Sequence, residues 1–357
     1  MEIELLKQYS KPGPRYTSYP AATAFTPEVG AEDYSMLLRD IDPARAISLY
    51  YHIPFCRNIC YFCACNVIYT KNKEKAEPYI AALTREMDLV AEQTQARLKV
   101  EQLHWGGGTP SFLSHEQMNM LMAQIYRRYD FVPGAEISIE LDPRETSPEQ
   151  IGTLADLGFN RASLGVQDFD PSVQTAVNRI QPEDITEQAY NHLRARGFRS
   201  INFDLIYGLP LQTVDTFAKT MEKVVGFRPD RISIFNFAYV PWLKKHQLRM
   251  NKEDLPSTET RLQILSYAVD RLQKAGYVHI GMDHFALPDD ELTVSLRDGS
   301  LRRNFQGYST RGGTELIGFG VTSIGEFNSG YAQNTKSLVD YYRAIEAGRL
   351  PTERGLI

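Results

Sequence analysis

The segment Tyr50-Tyr-His-Ile-Pro-Phe-Cys56-Arg-Asn-Ile-Cys60-Tyr-Phe-Cys63-Ala-Cys65 contains all 4 cysteines of the 357-residue chain. It follows a short apolar run and places the first three cysteines at C-x3-C-x2-C spacing. Three thiolates at this spacing can ligate three irons of a [4Fe-4S] cube, which leaves the fourth iron open to a small molecule. The segment therefore predicts Cys56, Cys60 and Cys63 as metal ligands of a cluster with an iron available for chemistry.

Two other kinds of cysteine site are compatible with the spacing alone. Cys60 and Cys63 have the C-x2-C spacing of half a zinc site, although no second such pair follows. A disulfide framework is disfavoured, because a chain this long can bury its own core and its N-terminus lacks a signal-peptide pattern. Cys65 is too close to the third cysteine to join the same cube, so it is either a shielded loop thiol or a group near the substrate.

The composition is that of a folded protein without a nucleic-acid or membrane footprint. Hydrophobic residues make up 43% of the chain, charged residues 23%, and the net charge of −5 is spread without long runs of one sign. No run of about eighteen apolar residues is present to span a bilayer. We expect a cytoplasmic protein, a monomer, with neither nucleic-acid nor membrane partners.

Six short runs rich in apolar and β-branched residues alternate with longer amphipathic stretches. The runs are Ala46–Ile53, Glu101–Trp105, Glu136–Leu141, Arg161–Val166, Ile201–Ile206 and Arg231–Phe237. Between them, apolar residues recur at helical spacing in segments 77–92, 114–129, 148–158 and 185–197. Repeated βα units imply an α/β fold with a parallel sheet, either doubly wound or curled into a barrel.

Polar or glycine residues occur at or after the end of each predicted strand. They are the cysteine loop, Gly106–Pro110, Glu140 and Asp142, Gln167 and Asp168, Asp204 and Tyr207, and Ala238. In parallel α/β folds these positions meet on one face, so one concave site can gather them. A glycine run is by itself more often a turn, and a single carboxylate more often solvated or capping. Their shared position at strand ends favours a ligand site, in which glycines let the backbone approach a charged cofactor and carboxylates accept hydrogen bonds from ribose.

Several ordered stretches resemble a known family. The cysteine segment and Gly106–Pro110 are similar to the radical S-adenosylmethionine superfamily, and the chain as a whole resembles its oxygen-independent coproporphyrinogen III oxidase family. The stretches that carry this resemblance cover nearly the whole chain: Gly13–Pro20, Cys63–Asn66, Leu103–Pro110, Gly165–Phe169, Asn202–Pro210, Met282–Phe285 and Arg303–Tyr308.

The resemblance implies a fold and a cofactor set. The fold is a partial (β/α)6 TIM-type radical-SAM barrel at 45–240, with an N-terminal extension near the substrate site at 1–44 and helical and irregular elements completing the barrel side at 241–357. Beside the [4Fe-4S] cluster, two molecules of S-adenosylmethionine are implied. Residues implied for the first are Tyr50, Gly107, Glu140 and Ile324. Residues implied for the second are Phe62, Gly108, Thr109, Gln167, Arg179, Asp204 and Ala238.

The resemblance also implies a reaction of haem biosynthesis. An unidentified donor protein supplies one electron, and S-adenosylmethionine yields a 5′-deoxyadenosyl radical that removes a β-hydrogen from a propionate of the porphyrinogen substrate. Loss of carbon dioxide and one electron leaves a vinyl group, and two rounds convert coproporphyrinogen III to protoporphyrinogen IX. The propionates call for cationic donors, for which Arg15, Arg302 and Arg303 are candidates.

One departure keeps alternatives open. Members of the resembled family continue for about another hundred residues, the size of one small domain, into a helical C-terminal domain that helps to cover the site. We therefore expect either a truncated chain or a short paralogue with a more open site. The alternatives are a haem-binding chaperone, disfavoured because that group generally lacks a Cys65 equivalent and the lead segment 15–20, and a radical methyltransferase. The role of His52 is either structural or close to the cluster.

Overall fold

The computed structural model describes residues 20–94 and 96–357. The first 19 residues of the expected N-terminal extension at 1–44, including Arg15 and nearly all of Gly13–Pro20, lie outside the described residues. Within the described ranges, no helix combines the length and the apolar character needed to cross a membrane.

The described residues form sixteen strands and ten α-helices. The strands are β1 (Ala46–Ile53), β2 (Phe55–Cys56), β3 (Ile68–Tyr69), β4 (Lys99–Gly107), β5 (Asp130–Leu141), β6 (Arg161–Gln167), β7 (Ser200–Tyr207), β8 (Arg231–Asn236), β9 (Val278–Gly281), β10 (His284–Ala286), β11 (Arg302–Asn304), β12 (Gly307–Ser309), β13 (Leu316–Phe319), β14 (Ile324–Phe327), β15 (Gly330–Asn334) and β16 (Thr352–Leu356). The helices are α1 (Ala31–Arg39), α2 (Ala76–Gln93), α3 (His115–Arg128), α4 (Pro148–Asp156), α5 (Pro171–Ala176), α6 (Glu183–Ala195), α7 (Val214–Phe227), α8 (Thr258–Lys274), α9 (Glu291–Asp298) and α10 (Leu338–Glu346).

The centre of the fold is a run of six parallel strands in the order β1-β4-β5-β6-β7-β8. These are the six strands that the apolar runs predict. The four amphipathic stretches are helices α2, α3, α4 and α6, each within two residues of its expected bounds. The α/β class with a parallel sheet is therefore confirmed.

The sheet continues past these six strands on both sides. The C-terminal part of the chain supplies β13, which pairs in parallel with β1, and then antiparallel β14, β15 and β16. On the other side, β10 pairs antiparallel with β8 and is followed by β9. The sequence patterns did not predict these strands beyond position 240. The boundary at 240 remains a prediction, and sheet pairing runs across it.

Helix α3 illustrates why the amphipathic stretches fold as they do. Ser114 caps it by accepting a hydrogen bond from the Gln117 N–H, and the Gln117 side chain accepts one from the Ser114 N–H. The apolar residues of its inner face, Met118, Leu121, Met122 and Ile125, are fully buried. Each such side chain contributes roughly 1.5–3 kcal/mol by leaving water. The helix layer therefore fixes the sheet whose strand ends carry the polar residues.

Candidate functional site

A cavity of about 450 Å³ lies at the carboxyl ends of the central strands and contains most of the residues implied by the resemblance. It is lined by Cys56, Cys60 and Cys63, and by nine further residues of that set: Phe62, Gly107, Gly108, Thr109, Glu140, Gln167, Arg179, Asp204 and Ala238. Tyr50 and Ile324 are outside this lining. The fold therefore brings into one cavity residues that are far apart in the chain, as their positions at strand ends predict.

The surroundings of the cysteines differ, because cationic side chains lie beside Cys60 whereas Cys56 is largely buried. Two guanidinium groups approach the sulfur of Cys60, with Arg144 Nη2 at 3.3 Å and Arg179 Nη1 at 3.5 Å. Burial raises the pKa of Cys56 to about 12, against the effect of a 3.3 Å contact with Thr109 Oγ1.

The arrangement fits a cluster better than a single zinc ion. A zinc ion needs four ligands within about 2.3 Å of one point. Here three cysteines on one loop line a cavity of about 450 Å³, which has room for a [4Fe-4S] cube and a small molecule.

Asp142 holds both arginines in place. Arg144 and Arg179 reach its Oδ2 at 2.6 and 3.0 Å, and Arg179 Nη2 also donates to the Gly165 carbonyl at 2.6 Å. Burial would raise the pKa of Asp142, but the two guanidinium groups hold it at about 2. The Nε of Arg179 is buried and lacks a partner among the described residues, so this N–H is available to a ligand. The Asp-Pro-Arg sequence after β5 was the available signal for Arg144, which the sequence analysis missed.

The glycine run brings backbone close to the cysteine loop. Gly107 has a φ of +115°, and a Cβ there would lie 2.6 Å from Cε1 of His52. A Cβ on Gly108 would lie 2.9 Å from the carbonyl oxygen of Phe55. Glycine, which has no Cβ, avoids a steric clash at both positions and also tolerates the positive φ of position 107. At the end of β6, Gln167 also has a positive φ of 68°, which is uncommon for a residue with a side chain and typical of ligand sites.

Two partly buried carboxylates, on strands separated by β6, differ in their preferred charge. Burial opposes ionisation of Glu140, but hydrogen bonds from His104 and from the Gly107 N–H, at 3.4 and 2.9 Å, keep its pKa below the ordinary value. Burial raises the pKa of Asp204 to about 6, although it accepts hydrogen bonds from Ser163 at 2.5 Å and Asn202 at 2.8 Å. Glu140 is thus the more readily ionised of the two.

These carboxylates also connect two cavities. A second cavity, of about 250 Å³, shares Glu140, Ser163, Asp204 and Phe235 with the first. Its other lining residues come mainly from the middle and beginning of the strands. The second cavity, beside the middle of the strands, therefore adjoins the first cavity at the strand ends.

Tyr50 and His52 support the cysteine loop from β1. The Tyr50 hydroxyl lies 3.0 Å from His52 Nδ1, and His52 Nε2 lies 3.0 Å from the Asn66 carbonyl oxygen. Because a carbonyl only accepts, Nε2 carries the proton and Nδ1 accepts from Tyr50. Both ring nitrogens are used within the protein, which favours the structural role for His52. Ile324 lies on β14, where its carbonyl is close to Gly318, the β13 partner of Tyr50.

The cysteine loop is also held from the far side. Lys244 Nζ donates to the Cys65 carbonyl at 2.7 Å, His246 Nε2 lies 2.7 Å from the Cys63 carbonyl, and Gln247 Nε2 donates to the Phe62 carbonyl at 3.1 Å. No periodicity in the sequence marked these residues. The substrate candidates Arg302 and Arg303 do not line the two cavities above. They line a third cavity of about 210 Å³, which shares Asn304 and Ser309 with the second.

Comparison with known proteins agrees with this geometry. Residues 50–224 match the family model of the Radical SAM superfamily. The chain is 47% identical over 358 residues to oxygen-independent coproporphyrinogen III oxidase of Pseudomonas aeruginosa, covering 99% of this chain and 78% of that protein. It is 46% identical to the enzyme of the same name from Escherichia coli, covering 97% of this chain and 75% of that protein.

A solved structure shares the fold over nearly the full length. Coproporphyrinogen III oxidase from Escherichia coli, described as a radical SAM enzyme, superposes with a TM-score of 0.94 and 45% identity, covering 99% of this chain and 80% of that one. Members of the superfamily use a [4Fe-4S] cluster and S-adenosylmethionine, which fits the cysteines and the cavity described above. The chain belongs to the radical SAM superfamily and, within it, to the family of oxygen-independent coproporphyrinogen III oxidases.

Proposed function

We propose that this protein oxidatively decarboxylates two propionate side chains of coproporphyrinogen III to vinyl groups, giving protoporphyrinogen IX for haem biosynthesis. The observation that carries the proposal is the cavity lined by three cysteines, in a chain 47% identical over nearly its whole length to an enzyme named for this substrate. The proposed enzyme is an oxidoreductase that uses a radical, not molecular oxygen.

The cluster ligands in this proposal are Cys56, Cys60 and Cys63. Their spacing and the guanidinium groups beside Cys60 support a cube with one open iron. When bound and reduced by one electron, the cluster supplies the cleavage of S-adenosylmethionine to methionine and a 5′-deoxyadenosyl radical. The protein's own task is to hold the cofactor and substrate in register and to exclude water and oxygen.

The first S-adenosylmethionine is proposed to lie against Tyr50, Gly107, Glu140 and Ile324. Gly107 presents backbone where a side chain would clash, and the ionised Glu140 can accept hydrogen bonds from the cofactor's hydroxyl or ammonium groups. Tyr50 stacks against His104 at 5.9 Å between ring centroids, which keeps its side chain in one position beside Glu140.

A second S-adenosylmethionine is proposed beside the first. Its residues are Phe62, Gly108, Thr109, Gln167, Arg179, Asp204 and Ala238, all of which line the main cavity. The free Nε–H of Arg179 is placed to donate to this cofactor's carboxylate, and Asp204 to accept from its ribose hydroxyls. We further propose a cytoplasmic monomer that receives electrons from a separate protein.

The proposal is tested by anaerobic incubation of the iron- and sulfide-reconstituted protein with reductant, S-adenosylmethionine and coproporphyrinogen III. Mass spectrometry of the porphyrin and the nucleoside should show loss of two carbon dioxide units and formation of 5′-deoxyadenosine. Cys60→Ala is the inactive control, and Cys65→Ala is the matched change at a cysteine outside the proposed ligand set. Formation of S-adenosylhomocysteine with added methyl groups, and no decarboxylation, would instead indicate a methyltransferase.

A further inference from the structure

The segment 242–252 presents large apolar side chains to solvent beside the cysteine loop. Trp242 is 73% exposed, Leu243 71% and Leu248 65%. The segment is nevertheless well anchored, because Phe237 before it and Met250 within it are buried in one small apolar cluster. The exposed side chains therefore contribute little to the fold, and an exposed apolar patch of this kind is typical of a contact surface.

The same segment is strongly cationic. It contains four lysine and arginine residues and no aspartate or glutamate, whereas the whole chain has a net charge of −5. Lys245, Arg249 and Lys252 are exposed, whereas Arg57 of the cysteine loop is ion-paired with Glu145 at 3.7 Å. A positive patch on a negative protein attracts an acidic partner and orients it toward this face.

The segment is in direct contact with the loop that carries the proposed cluster ligands. The three hydrogen bonds to the carbonyls of Phe62, Cys63 and Cys65 join the two pieces of chain. The Tyr69 ring also lies edge-on to His246 at 6.3 Å and lines the main cavity. A partner seated on the segment is therefore separated from the cysteines by about one layer of residues.

We propose that segment 242–252 is the docking surface for a small acidic protein that carries one electron at a time. This inference rests on the proposed function, which needs an electron delivered to the cysteine loop. In the docked complex the carrier's reduced centre loses one electron and the cluster gains it, with no bond made or broken. Such complexes are short-lived and bury less than about 1,200 Å², so an aromatic anchor with a ring of cations suffices.

Binding of a purified acidic flavodoxin to the protein tests the docking surface without reference to turnover. We expect Trp242→Ala to weaken the dissociation constant about tenfold, because exposed tryptophans at interface centres dominate binding. The double charge reversal Lys245→Glu/Lys252→Glu should weaken it at least about tenfold at low salt and abolish most of its salt dependence. Neither set of residues makes a hydrogen bond to the cysteine loop.

The matched controls are Val294→Ala and Arg297→Glu. Both residues lie on α9, which contacts the beginnings of the strands through Glu291 and Arg161, at the opposite edge from the cysteines. They should leave flavodoxin binding unchanged. In turnover with dithionite, all four variants should match the parent, whereas flavodoxin-driven turnover should fall only for the two changes in segment 242–252.

Two results would overturn the docking proposal. The first is parental flavodoxin affinity in both segment variants, which would place the carrier's binding site elsewhere. The second is an equal loss of dithionite- and flavodoxin-driven turnover, which would make the segment a support for the site. Failure of the proposed reaction itself would show as absent decarboxylation in the parent protein with either reductant, while the binding measurement still reports on the surface.

Discussion

Glu86 on α2 is a fully buried carboxylate whose ionisation opposes folding, and its replacement by glutamine should change how stability depends on pH. The Gly320 N–H, Asn334 Nδ2 and the Tyr341 hydroxyl donate to it at 2.8, 2.6 and 2.7 Å. Burial nevertheless outweighs these three hydrogen bonds and raises its pKa to about 7, from an ordinary value of 4.5. No charged partner of opposite sign accompanies it in these contacts.

The direction and size of the effect follow from proton linkage. Between pH 4.5 and 7 the folded protein keeps the proton on Glu86 while the unfolded chain releases it. The unfolding free energy therefore falls as the pH rises through this window. At 1.36 kcal/mol for each pKa unit, the total is about 3 kcal/mol. Below pH 4.5 both states hold the proton, and above pH 7 both lose it, so the dependence flattens at both ends.

Urea unfolding of the cluster-free protein at several pH values, followed by circular dichroism, measures this effect. Glu86→Gln should remove about 3 kcal/mol of pH dependence between pH 4.5 and 7. Below pH 4.5 it should be about 1 kcal/mol less stable than the parent, because an amide group cannot accept from all three donors. Above pH 7 it should be about 2 kcal/mol more stable than the parent, because it has no buried charge. Glu92→Gln on the exposed face of the same helix is the matched control. Parallel pH profiles for the parent and Glu86→Gln would refute the assignment of the proton to Glu86.

Three further outcomes are expected. Alanine at Cys56, Cys60 or Cys63 should abolish the iron-sulfur absorption and the bound iron, whereas Cys65→Ala should keep both; a full cluster in any of the first three would remove that residue from the ligand set. Gly107→Ala should lower the free energy of unfolding by about 1–3 kcal/mol, because φ is positive there and the added Cβ meets the His52 ring. Gly276→Ala is the control in the same thermal unfolding measurement. Its φ is +88° but no atom lies within 4 Å of the added Cβ, so its loss of stability should be smaller. In equilibrium dialysis, S-adenosylmethionine should bind more tightly as the pH rises through about 6, where Asp204 ionises, and Asp204→Asn should remove that rise; an unchanged rise would assign it to another group.

The central strands and their polar ends were predictable because both depend on local patterns. Each central strand is a short run rich in apolar and β-branched residues, and strand-end positions meet on one face in any parallel sheet. That rule alone places Glu140 and Asp204 in one cavity. Arg179 was different, since it follows a short helix with no distinguishing pattern, and only the resemblance pointed to it.

What could not be predicted depends on contacts between distant segments. Strand β13 is four residues long and β10 three, too short to show a period of two. The hydrogen bonds of His104 to Glu140 and of Ser163 to Asp204 depend on strand register, which the sequence does not display. The support of the cysteine loop by Lys244 and His246 likewise requires knowledge of where the chain returns after β8.

The parallel pairing of β1 with β13 sets the order of events when the protein is synthesised. Ser48 of β1 pairs with Leu316 of β13, so the strand leading into the cysteine loop waits for a neighbour encoded 268 residues later. At about 5–20 residues per second on the ribosome, that wait lasts about 13–54 s. Until then one edge of β1 has no strand beside it, and an unpaired edge invites association with other chains. Iron and sulfide are therefore best delivered after translation is almost complete, and chaperones have a defined interval in which to shield the early sheet.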